Sequence, residues 1–316
     1  MNTLETPRTG KGDSPESAEE TTAVWPNRAA RYGIFLGALT LLFAVPLFSL
    51  FRRAAASELN SYILLTPFIS GYLIWTHPKF RREKFAPAIA VAAGFGLLGA
   101  ITLLLAWNRQ RIGWPANEND RLSLLAIAFV SWVIAGGAYV MGGRWMRALA
   151  FPFGFLYFLA PLPVAVVNFL EQASQAGSAD AAELYFTLAG TPFLRDAMLF
   201  QLPDITIRVA QECSGIHSSL VLFIASLLCT HVFLRTPWRR GVLLLLVVPL
   251  GILRNGFRIF VLGWLCIHVG PEMIDSPIHH RGGPVFFALS LIPLFLLLWW
   301  LRKSELRQAA DRDSSV

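Results

Sequence analysis

The sequence predicts an all-α polytopic membrane protein of about eight transmembrane helices, carrying on one face a small loop domain with a short helix and a β-hairpin. Three observations carry that prediction. Of 316 residues 55% are apolar and only 15% charged. The apolar residues come in long unbroken runs that a soluble domain of this size could not all bury. Lys and Arg gather in short clusters between those runs, so the net charge of +7 belongs to membrane-proximal loops and gives no support to a nucleic-acid partner.

A span requires about 20 mostly apolar residues. Eight segments qualify: 32–51, 60–76, 86–107, 122–141, 148–170, 214–234, 241–264 and 284–301. The first 30 residues are polar, with Gly, Ser, Pro and the Glu19-Glu20 pair, and read as a disordered cytoplasmic tail, not a cleaved signal peptide. Residues 31–303 read as a single transmembrane domain and 304–316 as a cytoplasmic C-terminal tail.

Orientation follows from the basic clusters. Lys79, Arg81, Arg82 and Lys84 follow the second span, Arg144 and Arg147 the fourth, Arg235, Arg239 and Arg240 the sixth, and Arg302, Lys303 and Arg307 the eighth. Even-numbered spans thus end in the cytoplasm, and both termini are expected inside. Arg52 and Arg53, and then Arg109, Arg111 and Arg121, run against this pattern without reversing it.

The segment 171–212 carries six acidic residues against two basic ones and is assigned to the outer face. Within it, 171–189 reads as an amphipathic helix. Ile205, Ile207 and Val209 alternate with Thr206 and Arg208 as a half-buried strand does, and Pro203-Asp204 marks a turn from an earlier strand at Met198–Leu202. This hairpin delivers the chain to Cys213.

Three groups of residues can carry chemistry. Cys213, in Glu212-Cys213-Ser214-Gly215-Ile216, stands where the outer segment turns into the sixth span, and a thiol at a helix N-terminus is shifted toward thiolate by the helix dipole and nearby N–H groups. Its structural alternative is a small apolar residue, which is the reading for Cys229 and Cys266; three scattered cysteines make neither a disulfide framework nor a zinc site. Arg254 and Arg258 share one face of the seventh span, with Asn255 three residues before Arg258. A guanidinium near a bilayer centre costs at least about 2.5–3.5 kcal/mol, so each faces the protein interior or a wet cavity, unless it snorkels to the headgroups. His279 and His280 precede the eighth span on the same face, and an imidazole there can take a proton from a thiol and return it to a leaving amine. A loop histidine is otherwise a surface residue, as His217 and His268 also can be.

The sixth, seventh and eighth spans therefore bring a Cys, an Arg and a His to one side of the membrane, a sufficient set for acyl transfer. Here the sequence resembles the exosortase and archaeosortase family of membrane-embedded sorting enzymes. The resemblance lies in Cys213-Ser214-Gly215 with Ile216 and Ser218; in Pro249 followed by Asn255-x-x-Arg258; in His279 with Gly283 four residues on and Phe286-Phe287; in Ser61-Tyr62 through Leu73-Ile74-Trp75; and in the acidic loop before the cysteine. It covers most of the chain after residue 30. Where many relatives carry a basic residue after Ile216, this chain has His217.

The resemblance implies Cys213 as nucleophile, Arg258 as stabilising guanidinium and His279 as the third member, with His280 adjacent as the alternative histidine. It implies a substrate protein with a C-terminal sorting motif, a transmembrane helix and a basic tail, cleaved at the outer face of the cytoplasmic membrane and transferred to an amine, with no cofactor. Two readings from other classes compete. One is a transporter or channel that binds an anion on Arg254 and Arg258, against which stand the lack of paired acids within the spans and of an internal repeat. The other is a non-catalytic scaffold acting through 171–212.

Overall fold

The computed structural model describes residues 15–77, 86–108, 113, 115, 117–203, 205–209, 215–270, 272–273 and 283–314. Most of them are helical. Among the described residues five helices are long and apolar enough to cross a membrane: Ile89–Trp107, Glu118–Val140, Ile216–Phe233, Pro237–His268 and Gly283–Gln308. The number rises to seven if two broken pairs, Asn27–Leu42 with Ala44–Ala56 and Ala150–Leu159 with Val164–Leu188, each count as one span. Leu104, Trp107, Leu245, Val248, Ile292 and Trp299 stand exposed on these helices. Apolar surface on that scale is stable against hydrocarbon, not water. The protein is a multi-pass membrane protein.

By internal packing the chain divides into two compact units, Met1–Leu162 and Pro163–Val316. The first unit holds α1 (Pro15–Leu42), α2 (Ala44–Ala56), α3 (Tyr62–Thr76), α4 (Ile89–Trp107), α5 (Glu118–Val140), α6 (Gly143–Ala148) and α7 (Ala150–Phe155), followed by a 3-10 turn at Leu156–Leu159. Helix α1 begins at Pro15, a residue suited to a first helical turn, and so extends into the stretch expected as tail. The first expected span is bent by 72° at Phe43, because the ring of Pro46 clashes with the carbonyl four residues earlier and offers no N–H. The second expected span is the short helix α3, of 15 residues. Trp132 fastens α5 to α4, its Nε1–H donating to the Gly96 carbonyl at 3.1 Å while its ring fills the space above Gly99. Tyr32 fastens α1 to α5 through a hydrogen bond to the Val133 carbonyl at 3.0 Å.

The second unit holds α8 (Val164–Leu188), the strands β1 (Leu194–Asp196), β2 (Leu199–Gln201) and β3 (Thr206–Arg208), and the helices α9 (Ile216–Phe233), α10 (Pro237–His268) and α11 (Gly283–Ser314). The fifth expected span and the amphipathic helix after it are redrawn. Pro161 and Pro163 end the first part, since residues before proline leave the helical region, and α8 then runs unbroken across the boundary placed at 170. The strands form one antiparallel sheet in the order β1-β2-β3, pairing Arg195 with Phe200 and Phe200 with Ile207. The β2–β3 hairpin matches the alternation in the sequence, while β1 adds a strand that the sequence does not suggest. The sheet closes a core of Ala182, Phe186, Phe200, Leu202, Val209 and Ile259 between itself, α8 and α10.

At its other end α10 is held by α11. The Glu305 carboxylate accepts from the backbone N–H of Arg235 at 3.1 Å and of Thr236 at 2.6 Å, and also from the Thr236 hydroxyl. Arg239, 1% exposed, donates to Gln308 Oε1 at 2.7 Å and Ser304 Oγ at 3.2 Å, with Glu305 3.9 Å away. Glu305→Ala therefore strips the α9–α10 linker of its acceptor and is expected to cost about 2 kcal/mol of stability. Thermal unfolding in detergent checks this, with Glu305→Gln, which keeps an acceptor oxygen, losing less.

Candidate active site

Helix α10 is the scaffold of the site, and glycines set how closely it lies to its neighbours. A Cβ on Gly256 would stand 2.5 Å from Ala181 Cβ and 3.0 Å from the Ser178 carbonyl, and one on Gly263 would stand 2.6 Å from the Phe186 ring. A Cβ on Gly251 would meet Ser219 Oγ on α9 at 2.7 Å. Larger residues at these positions would push α8 and α9 away. The close approach lets short polar side chains span the gaps: Asn255 Nδ2 donates to Ser178 Oγ at 3.1 Å, both residues fully or nearly fully buried.

The Asn255 oxygen, on the other side of the same amide, faces the turn that begins α9. Gly215, the N-cap of that helix, has φ +67° and ψ +16°, the left-handed region that favours glycine. A Cβ there would lie 3.0 Å from Asn255 Oδ1 and 3.0 Å from Arg254 Nη2. Glycine is thus required twice, by backbone conformation and by space.

Arg254 completes the turn. Its Nη2 donates to Ser218 Oγ at 2.6 Å and to the Gly215 carbonyl at 3.3 Å. The Ser218 hydroxyl donates to that same carbonyl at 2.9 Å, and Ser219 N–H does so at 3.0 Å as the first bond of α9. Arg254 is only 8% exposed. Its hydrogen-bond partners among the described residues are neutral, and its Nη1 is buried with no acceptor among them. The snorkelling alternative for Arg254 is therefore overturned: the guanidinium turns inward onto the residues that follow Cys213. Arg258 lies one turn further along the same face of α10 and is half-buried. His217, in the first turn of α9, has a buried Nε2 with no partner among the described residues.

Cys213, His279 and His280 lie outside the described residues, and of the three expected catalytic residues the structure places Arg258. Cys229 on α9 is half-buried and Cys266 on α10 is buried, as packing residues are. Sequence reasoning passed over Ser178 and left Arg254 undecided. The signal available was the small residues Gly251, Gly256 and Gly263 on α10 and Gly177, Ser178, Ala181 and Ala182 on α8, of which Gly256 sits directly against Ser178, Ala181 and Ala182. The first unit holds a cavity of about 460 Å³ lined by Tyr32, Gly33, Gly71, Val133, Trp145 and Phe153 among others; its lining is mostly apolar and includes none of the expected catalytic residues.

The sequence matches the transmembrane exosortase family over residues 52–296. The chain belongs to that family. No curated protein and no solved structure matches it. In this exosortase the matched region takes in the Gly215 turn, all of α10 and the start of α11, so the buried Arg254 network lies inside the family's own extent.

The Gly215 turn gives a direct test. Gly190 has nearly the same backbone, φ +65°, but open space where a Cβ would go. Gly190→Ala is expected to cost about 1–2 kcal/mol from left-handed strain alone. Gly215→Ala adds the displacement of Arg254 and Asn255 and is expected to cost about 2–4 kcal/mol. Thermal unfolding of the two variants in detergent checks the difference; equal losses would mean that the turn is not crowded.

Proposed function

We propose that this exosortase is a cysteine transpeptidase that cleaves membrane-anchored substrate proteins at a C-terminal sorting signal on the outer face of the cytoplasmic membrane. The observation that carries the reading is the inward-facing Arg254. It ties the turn two residues after Cys213 to α10, the helix that bears Arg258. Family membership supports the reaction class, and the thiol's place just ahead of the N-terminus of α9 supports a thiolate there.

In the proposed reaction Cys213 Sγ attacks the scissile carbonyl, and the Arg258 guanidinium stabilises the negative charge that moves from sulfur to the carbonyl oxygen. The C–N bond breaks as His279 gives its proton to the departing amine, leaving an acyl thioester. An incoming amine or water then loses a proton to His279 and displaces Cys213 as thiolate. The scheme uses no cofactor. The substrate expected is a protein with a short sorting motif ahead of its own transmembrane helix and basic tail, because a site at the membrane surface reaches a bond just outside such an anchor. An anion transporter built on Arg254 is less well supported, since that guanidinium is buried on a turn of the same unit.

The test is co-expression with a candidate substrate carrying a C-terminal sorting helix, with processing followed by gel mobility. Cys213→Ala is expected to reduce processing by about 10³-fold or more, and Arg258→Ala by about 10²-fold. His279→Ala is expected to be inactive and His280→Ala active. Processing that survives in folded Cys213→Ala would move the chemistry elsewhere in the chain.

A further inference from the structure

The segment 210–214, which contains Cys213, is bounded by two residues that are themselves held. On its N-terminal side Val209 is 1% exposed, its N–H donating to the Met198 carbonyl at 2.9 Å. Its carbonyl accepts a hydrogen bond from the side-chain amide of Gln175, which reaches across from α8. A carbonyl can only accept, so the Gln175 nitrogen must face it. On the C-terminal side Gly215 is held by Arg254 from α10 and backed by Asn255. The two helices that supply these side chains are themselves locked together at Asn255–Ser178 and at Gly256.

We propose that Gln175 and Arg254 are positioning residues: by holding Val209 and Gly215, the residues that flank 210–214, they govern where Cys213 is presented. The inference rests on the reading of Cys213 as nucleophile. Tethering the chain on both sides of a nucleophile lowers the entropy lost in presenting it, compared with tethering on one side. Placement on this scale matters because a displacement of about 1 Å at the reacting atoms costs about 10²-fold in rate. Neither pin touches the reacting atoms; each acts through the backbone on either side of the nucleophile.

The experiment uses the full chain in detergent or proteoliposomes and shape-preserving variants. Gln175→Glu keeps the outline of the side chain, but its carboxylate cannot donate to the Val209 carbonyl. Arg254→Lys keeps the charge but not the two-acceptor reach of the guanidinium. Gln175→Ala and Arg254→Ala accompany them, with thermal unfolding to verify the fold. In substrate-free protein, hydrogen exchange of the peptide spanning 210–214 is expected to accelerate by about tenfold in both shape-preserving variants, equivalent to about 1.4 kcal/mol and within the worth of one opened hydrogen bond. Peptides from α4 are expected to keep their rates. With the processed substrate, kcat is expected to fall by about 10- to 100-fold while KM stays within about threefold, and Arg254→Lys to recover part of what Arg254→Ala loses.

Wild-type exchange across 210–214 in Gln175→Glu and Arg254→Lys overturns the positioning inference whatever the kinetics show. So do unchanged kcat values in those variants alongside an inactive Cys213→Ala, and in both cases the nucleophile reading stands. Processing by Cys213→Ala instead removes the nucleophile reading, and with it the catalytic meaning of the pins, even where exchange behaves as expected.

Discussion

A guanidinium carried by a membrane-spanning helix has to find polar company inside the protein or leave the hydrocarbon, and Arg254 finds it in the Gly215 carbonyl and the Ser218 hydroxyl. Much of the second unit is arranged so that this contact can be made. The start of α9 must come within hydrogen-bond reach of α10, which requires glycine at 251, where α9 leans on the helix through Ser219. It also requires a left-handed residue at 215 to aim the carbonyl, and a short hydroxyl side chain at 218 to share the donor. Gly215, the glycine of Cys213-Ser214-Gly215, and Ser218 beyond it are therefore better understood together as the receptor for Arg254 than as independent features of the sequence.

The contact also has an electrostatic side. Hydrogen bonds from a charged donor to neutral acceptors satisfy the donor's directionality without neutralising its charge. Arg254, whose acceptors among the described residues are neutral, thus places positive potential on the face of α10 that meets the turn following Cys213. In a low-dielectric setting that potential acts strongly on any negative charge that develops nearby. A thiolate, and after it a tetrahedral oxyanion, are the charges that the proposed reaction creates. Under that reading the buried cation is held in the resting protein by hydrogen bonds to neutral acceptors among the described residues, and its field acts on the charges that develop as chemistry begins.

The parts of the fold legible in the sequence were those governed by periodicity and length. Ile205, Ile207 and Val209 alternate with exposed Thr206 and Arg208, so the β2–β3 hairpin could be read directly. Long apolar runs likewise became α4, α5, α9, α10 and α11. Breaks inside a run were harder, because summed hydropathy is blind to where a proline interrupts the backbone; Pro46 and the Pro161–Pro163 pair decide the bend after α1 and the start of α8. Strand β1 was invisible because Leu194-Arg195-Asp196 carries no apolar alternation. It is held instead by pairing with β2 and by the Arg195 contacts to Asp180 and Glu183 on α8, which local alternation cannot register.

The site was legible in its residue types but not in its wiring. The sequence placed Arg254 and Arg258 on one face of a span, yet inward and snorkelling arginines leave the same one-dimensional trace, because the difference lies in what stands opposite. That depends on Gly256 and Gly251 bringing α8 and α9 close, a pairwise property that no single helix displays. Asn255 makes the point most clearly. Its amide touches two elements at once, Ser178 of α8 through nitrogen and the Gly215 turn through oxygen. Such a residue cannot be exchanged for a longer amide or an acid without disturbing one contact or the other, because Gln moves both atoms outward and Asp removes the donor. The Asn at 255 is therefore explained by packing between three segments. A residue can in this way be indispensable to a membrane active site without meeting the reacting atoms.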